Sequence, residues 1–117
     1  MKFLSVYTPD PKRVAVPMSG ETMAEMGKMM EEMTKSGELI LTGEFLPTSK
    51  GGARVRVSNG TITVDGPFAE TKEIVGGFAM MEAKSREEAI EMTKRFLKLA
   101  GDGECELHQI QVAGGAR

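Results

Sequence analysis

The Asn59-Gly60 pair constrains the fold of this chain more than any other feature of the sequence. The pair is typical of a two-residue type I′ turn, in which both central residues adopt positive φ. It separates two runs in which apolar and polar residues alternate, and the turn sets their register, with Ser58 facing Thr61 and Arg54 facing Asp65. The resulting hairpin has one apolar face, made of Val55, Val57, Ile62 and Val64, and one polar face, made of Arg54, Arg56, Thr63 and Asp65.

Two amphipathic segments predict helices on either side of the hairpin. Thr22-Met23-Ala24-Glu25 has the pattern of a capping box and predicts a helix from Thr22 to Ser36, ended by Gly37. Ser85-Arg86-Glu87-Glu88 has the same pattern and predicts a second helix that ends near Leu99. The first helix carries a stripe of methionines at helical spacing, which indicates core packing rather than a metal-binding or peptide-binding surface: Met23, Met26, Met30 and Met33.

Four further apolar runs predict strands, near Lys2–Tyr7, Glu38–Thr42, Ile74–Ala83 and Glu104–Val112. Without the hairpin, the order of elements is β-α-β-β-α-β. That order is typical of the ferredoxin-like fold, an α+β architecture with an antiparallel sheet and both helices on one face. At 117 residues the chain is expected to form one domain over residues 1–117.

The predicted strand Ile74–Ala83 is apolar on both sides, since Phe78 and Met80 point one way while Ala79 and Met81 point the other. Two helices cover only one face of a sheet, and an antiparallel sheet with a solvated second face should be polar there. The second face is therefore expected to pack against a second copy of the chain, giving a homodimer with facing sheets.

Charge and cysteine content exclude several classes of function. The 15 basic and 17 acidic residues give a net charge of −2, which provides no electrostatic basis for binding nucleic acid or an anionic membrane. A single cysteine excludes a disulfide framework and a site with several thiolate ligands. No apolar run approaches the ~20 residues of a membrane helix, and no secretory signal is visible. A cytoplasmic protein without a metal or cofactor is expected.

The segment Asp65-Gly66-Pro67-Phe68-Ala69-Glu70-Thr71-Lys72-Glu73, followed by an apolar strand with Gly76-Gly77, resembles the DGPF-motif branch of the YCII-related family. The resemblance implies a bacterial protein of the dimeric α/β-barrel type, with an association with a sigma factor in some relatives. It also implies a His–Asp pair in some members. The one histidine of this chain is His108, in the last strand, so that pair does not carry over, whereas the motif's aspartate is Asp65.

The residues around the motif give the candidate site. Asp65 is either a general acid/base or ligand anchor, or a carboxylate that holds a turn and pairs with Arg54. Arg54 and Arg56 share one side of a strand and would bind a small carboxylate or phosphate, or else form a solvated edge. The predicted ligand-binding set is Arg54, Arg56, Asp65, Gly66, Pro67, Phe68, Lys72 and His108, with Asp65 as the catalytic candidate.

Two other features have structural alternatives. Gly76-Gly77 forms either a bulge or contact with a partner chain, or allows the close approach of a ligand. Cys105 has no second cysteine to pair with and is expected to be an inert thiol.

Three hypotheses of function follow. The first is a homodimeric module that binds a small anionic metabolite in a cleft near the DGPF motif. The second is a cofactor-independent enzyme of the lyase, isomerase or monooxygenase type that uses Asp65 as acid/base, which rests on analogy of fold. The third is a regulatory partner linked to a sigma factor, which rests on the resemblance.

Overall fold

Six strands and two helices make up the part of the chain that the structure describes, residues 1–12, 18–47, 50–66 and 76–113 of a computed structural model. The four-stranded antiparallel sheet has the strand order β2-β5-β1-β6, and β3 and β4 form a separate hairpin. The predicted ferredoxin-like α+β fold with an inserted hairpin is therefore confirmed. The elements are β1 (Lys2–Pro9), α1 (Gly20–Ser36), β2 (Leu39–Glu44), β3 (Arg54–Ser58), β4 (Thr61–Asp65), β5 (Gly77–Glu82), α2 (Arg86–Ala100) and β6 (Gly103–Ile110).

The hairpin has the register that its turn predicts. Asn59 and Gly60 have φ values of 49° and 78°, Arg54 is opposite Asp65, and Val57 is opposite Ile62. Every residue of β3 and β4 is exposed to solvent, including the four residues of the apolar face.

Local capping signals position both helices. Ser85 caps α2 as predicted, since its Oγ accepts a hydrogen bond from the Glu88 amide at 3.1 Å. The N-cap predicted for α1 at Thr22 is wrong. Ser19 caps this helix by accepting from the Thr22 amide at 3.1 Å, and Gly37 ends it in the left-handed conformation. The earlier start brings Glu21 into the first turn, where the helix dipole favours a negative charge. Among the described residues, no helix combines the length and the apolar character needed to cross a membrane.

The core lies between one face of the sheet and the two helices. Methionines of α1 contribute to this core, but the buried ones are not all those of the predicted stripe. Met33 is buried as predicted, yet Met29 is buried in place of Met23, which is 60% exposed. The buried cluster consists of Phe3, Met29, Met33, Leu39, Met81, Ala83, Ala89 and Met92.

The strand register separates the two faces of the sheet. Phe3 is paired with Met81 and Ser5 with Ala79 on the face that carries the helices. On the other face Leu4 is paired with Met80 and Val6 with Phe78, so β5 carries apolar side chains on both sides, as its sequence predicts. We call this second surface the open face of the sheet, because both helices lie on the opposite side.

The two glycines at the start of β5 are required by the chain's own backbone. A Cβ atom at Gly76 would lie 1.9 Å from the Tyr7 carbonyl oxygen, and one at Gly77 would lie 2.9 Å from the Gly43 carbonyl oxygen. The predicted bulge at these glycines is wrong, since the one register shift between β2 and β5 falls between Leu39 and Leu41 of β2. Close strand packing explains the pair instead.

Candidate functional site

A cavity of about 1290 Å³ lies between the helices and the helix-facing side of the sheet. Its floor includes Ser5 and Tyr7 of β1 and Ala79 of β5, and Phe96 of α2 forms part of one wall. The Tyr7 and Phe96 rings meet edge to face, with centroids 5.3 Å apart. Methionine is the commonest residue type in the lining, with eight members: Met18, Met23, Met26, Met29, Met30, Met33, Met81 and Met92.

The distribution of large and small side chains along the sheet explains why this space stays open. At one end, Phe3 and Met81 are paired across neighbouring strands and both are buried beneath the helices. At the other end, Tyr7 is paired with Gly77, which has no side chain to fill the layer. Gly27 lines the same region from α1, and a Cβ atom there would meet nothing within 4 Å. The helix–sheet layer is therefore closed at one end and open at the other.

Most of the polar groups that line the cavity are already engaged by the fold. The Tyr7 hydroxyl donates to the Asp102 carbonyl at 3.3 Å, the Thr42 hydroxyl to the Phe78 carbonyl at 3.0 Å, and the Thr93 hydroxyl to the Ala89 carbonyl at 2.9 Å. The interior therefore presents mainly thioether, aliphatic and aromatic surface.

The charged groups of the described lining are the exposed residues Asp10, Lys12 and Glu44. The Asp10 carboxylate accepts a hydrogen bond from the Lys12 amide at 2.9 Å. Two acidic side chains and one basic side chain give this part of the lining no net attraction for an anion. The described lining contains neither histidine nor cysteine.

The residues predicted as ligand-binding lie elsewhere. Arg54, Arg56 and Asp65 share the exposed polar face of the hairpin, with Arg54 opposite Asp65, and none of the three lines the cavity as described. Gly66 has a φ of 125°, and a Cβ atom there would lie 2.8 Å from the Gly52 carbonyl oxygen, so the base of the hairpin requires glycine. Pro67, Phe68 and Lys72 lie outside the described residues.

His108 is not brought together with these residues. It lies on β6, at the opposite edge of the sheet from β2, and its partner on β1 is Leu4 of the open face. Its Nε2 is 2.8 Å from Glu106 Oε1. Within the described ranges, no group of three or more histidine, cysteine, aspartate or glutamate residues is arranged to hold a metal ion.

Cys105 also lies on β6, where it is paired with Tyr7 of β1. Burial raises the pKa of its thiol, and a hydrogen bond with Ser5 lowers that pKa in part. The neutral thiol is therefore favoured, in agreement with the inert role predicted for this residue.

Sequence reasoning missed the cavity because its residues have apolar side chains that are usual in a core. A signal was nevertheless present, since glycine occurs in the middle of an amphipathic helix at Gly27, and small residues occupy alternate positions on one face of β5 at Gly77 and Ala79. Small residues on both layers indicate either very close packing or a space between them.

Comparison with known proteins identifies the family. The model of the YCII-related domain matches residues 1–106. The chain belongs to the YCII-related family. The resemblance seen in the sequence is thus confirmed for the family, while membership of the DGPF-motif branch stays a prediction.

Two further comparisons, with a curated protein and with a solved structure, add to this result. An uncharacterized protein of Rhizobium meliloti (strain 1021) is 29% identical over 72 residues, which are 62% of this chain and 58% of that protein's length. The solved structure of 5-chloro-2-hydroxyhydroquinone dehydrochlorinase from Burkholderia phenoliruptrix AC1100, in complex with 2,5-dihydroxybenzoquinone, matches with a TM-score of 0.57. That match covers 97% of this chain and 96% of the enzyme at 17% identity, so it shows a shared fold.

Proposed function

We propose that this YCII-related protein is a homodimeric module that binds a small, mainly apolar organic molecule in the methionine-lined cavity. The observation that carries the proposal is the lining itself, in which eight methionines and an edge-to-face Tyr7–Phe96 pair surround about 1290 Å³. Concave sites with apolar walls and few polar groups are the usual binding sites for small molecules.

The chemistry of the walls defines the class of ligand. Burying about 200 Å² of apolar ligand surface at ~25 cal/mol per Å² contributes roughly 5 kcal/mol, before the cost of association is subtracted. The unbranched methionine side chains adapt to ligands of different shape. A charged ligand gains little, because Asp10 and Glu44 offset Lys12 in the described lining. The dehydrochlorinase complex contains 2,5-dihydroxybenzoquinone, which supports a ligand of single-ring size, while the apolar character of the proposed ligand rests on the cavity walls of this chain.

The homodimer is proposed from the open face of the sheet. Leu4, Val6, Phe78 and Met80 are only half-buried there, although they form an apolar row across β1 and β5. The helices already cover the other face. A second sheet packed on this row would remove it from water.

The binding proposal is tested by filling the cavity. Ala79 lines it from β5, whereas Ala24 is exposed on α1 and outside the lining, so Ala79→Phe and Ala24→Phe make the same chemical change in two places. The neutral dye N-phenyl-1-naphthylamine, followed by fluorescence, reports occupancy. Ala79→Phe is expected to weaken dye binding at least tenfold, and Ala24→Phe by less than twofold.

A second variant covers the case in which Ala79→Phe disturbs the fold. Met26 is partly buried in the lining, so Met26→Lys places a charge beside the bound dye without removing a fully buried side chain. Circular dichroism melting checks that each variant is folded. Equal dye affinity in folded Ala79→Phe, Met26→Lys and the unchanged protein would refute binding in this cavity.

Binding of a small anion at the hairpin is a second candidate. It is favoured by one observation, the alternation that places Arg54 and Arg56 on the same face as Asp65. If Asp65 anchors a ligand or acts as acid/base, Asp65→Asn removes that function at unchanged melting temperature. If Asp65 only supports the turn, the melting temperature falls instead. Isothermal titration with phosphate and with acetate, alongside melting curves, distinguishes the two results.

A further inference from the structure

The hairpin exposes an apolar face that no described part of its own chain covers. Val55, Val57, Ile62 and Val64 are 64%, 70%, 67% and 65% exposed, respectively. A two-stranded hairpin is at best marginally stable in water unless a hydrophobic face packs on something else. Four β-branched side chains on one side of such an element therefore indicate a contact surface.

A second exposed apolar group lies where the hairpin leaves the sheet. We call it the β2 apolar edge, and it consists of Leu41, Phe45 and Leu46, which are 55%, 45% and 70% exposed. The Phe45 amide donates to the Gly76 carbonyl at 2.8 Å, which holds together the two chain segments that lead into and out of the hairpin. The Phe45 ring packs against the Phe78 ring in a tilted arrangement, with centroids 5.4 Å apart.

Within one chain the two surfaces do not cover each other, since both remain exposed. We infer that the apolar face of the hairpin packs against the β2 apolar edge of a second copy, and that the second copy's hairpin packs on the first in return. A two-fold axis makes this exchange reciprocal, so that one set of contacts covers both surfaces on both chains. The inference rests on the proposed homodimer and adds a second contact region to the open face.

The exposed area agrees with an interface between copies. The seven side chains expose roughly 700 Å² per chain, close to the ~800 Å² that each partner contributes to a standard interface. The chain exposes 8696 Å² in total. A folded monomer of this mass is expected to expose roughly 6,200 Å², so the difference leaves room for both the hairpin contact and the open face.

The test removes apolar surface from the hairpin without changing its shape. Val57→Thr combined with Ile62→Thr alters a facing pair on the apolar side and keeps β-branched residues. The matched control exchanges the facing pair on the polar side, Ser58→Thr with Thr61→Ser. Analytical ultracentrifugation gives the dimer dissociation constant. We expect the first variant to weaken the dimer at least 100-fold, because each dimer loses apolar surface at four positions, and the control to stay within threefold.

Two further measurements make the outcome decisive. Leu46→Asn changes the other side of the proposed contact and is also expected to raise the dimer dissociation constant. The increase should be smaller when Val57→Thr/Ile62→Thr is already present, because the two surfaces contact each other in the proposed dimer. Val6→Lys places a charge on the open face and tests the homodimer separately. If Val6→Lys separates the copies while Val57→Thr/Ile62→Thr leaves the constant unchanged, the homodimer stands and the hairpin exchange is refuted. If the unchanged protein sediments as a monomer at tens of micromolar, both proposals fail.

Discussion

Replacing Met33 by alanine tests how the methionine stripe supports the fold, and Met23→Ala is its matched control. The two substitutions delete the same atoms from the same helix. Met33 is 4% exposed within the core cluster, whereas Met23 is 60% exposed at the open end of the helix–sheet layer. Any difference in stability between the two variants therefore reports burial rather than helix propensity.

The size of the expected effect follows from these exposures. A buried methionine replaced by alanine typically costs ~2–5 kcal/mol, through lost transfer energy and the space left behind. Met33 also borders the cavity, so it has fewer neighbours to lose and the cost should be about 2–3 kcal/mol. Met23 has less than half of its surface buried, and its replacement should cost below about 1 kcal/mol.

Urea unfolding followed by circular dichroism, at one fixed protein concentration, measures both variants. With a urea dependence of ~1–3 kcal/mol per molar, Met33→Ala should lower the midpoint by roughly 1 M and Met23→Ala by less than half of that. Equal losses for the two variants would refute the assignment of the buried face of α1.

Three other predictions concern local features. Ser85→Ala should lower the free energy of unfolding by about 1 kcal/mol in urea unfolding, because the Glu88 amide loses its acceptor; an unchanged value would contradict the cap. Gly76→Ala should prevent stable folding, because its Cβ would lie 1.9 Å from the Tyr7 carbonyl oxygen. Gly27→Ala should be neutral or up to ~1 kcal/mol stabilising, because its Cβ would meet nothing within 4 Å. Similar melting curves for the two variants would contradict the close strand packing at Gly76. Hydrogen bonds from the Met1 amine and from Lys2 lower the pKa of Glu82, so this carboxylate stabilises the fold above the pKa of an unfolded glutamate, and the stabilisation is lost as the pH falls through the lower folded value. Glu82→Gln should therefore flatten the acid side of the curve of melting temperature against pH. An unaltered curve would contradict this role of Glu82.

Features set by short-range chemistry were predictable from the sequence. The hairpin register follows from Asn59-Gly60 alone, since a two-residue turn at positive φ leaves one pairing. Ser85 as the cap of α2 follows equally from four consecutive residues. The order of elements then restricts the topology to the ferredoxin-like sheet.

Features that depend on the distance between layers were not predictable. Met23 belongs to the predicted stripe and Met29 lies beside it on the helix, and only the position of the sheet decides that Met29 is the one that is buried. The start of α1 was predicted wrongly because the Thr22–Glu25 pattern fits a capping box, whereas Ser19 provides the cap three residues earlier. The cavity arises from small residues on two different elements, Gly27 on α1 and Gly77 on β5, whose proximity no local pattern reveals.

The cavity proposal is tested most directly by NMR of protein labelled with ¹³C at the methionine methyl groups, titrated with N-phenyl-1-naphthylamine. Eight of the ten methionines line the cavity, while Met1 and Met80 do not. Met80 is a close control, because it adjoins the lining residue Met81 but points to the open face. Binding in the cavity predicts saturable shifts of the lining methyl groups, with Met1 and Met80 unchanged. Lining signals that stay in place at millimolar dye, or that move no more than those of Met1 and Met80, would contradict it.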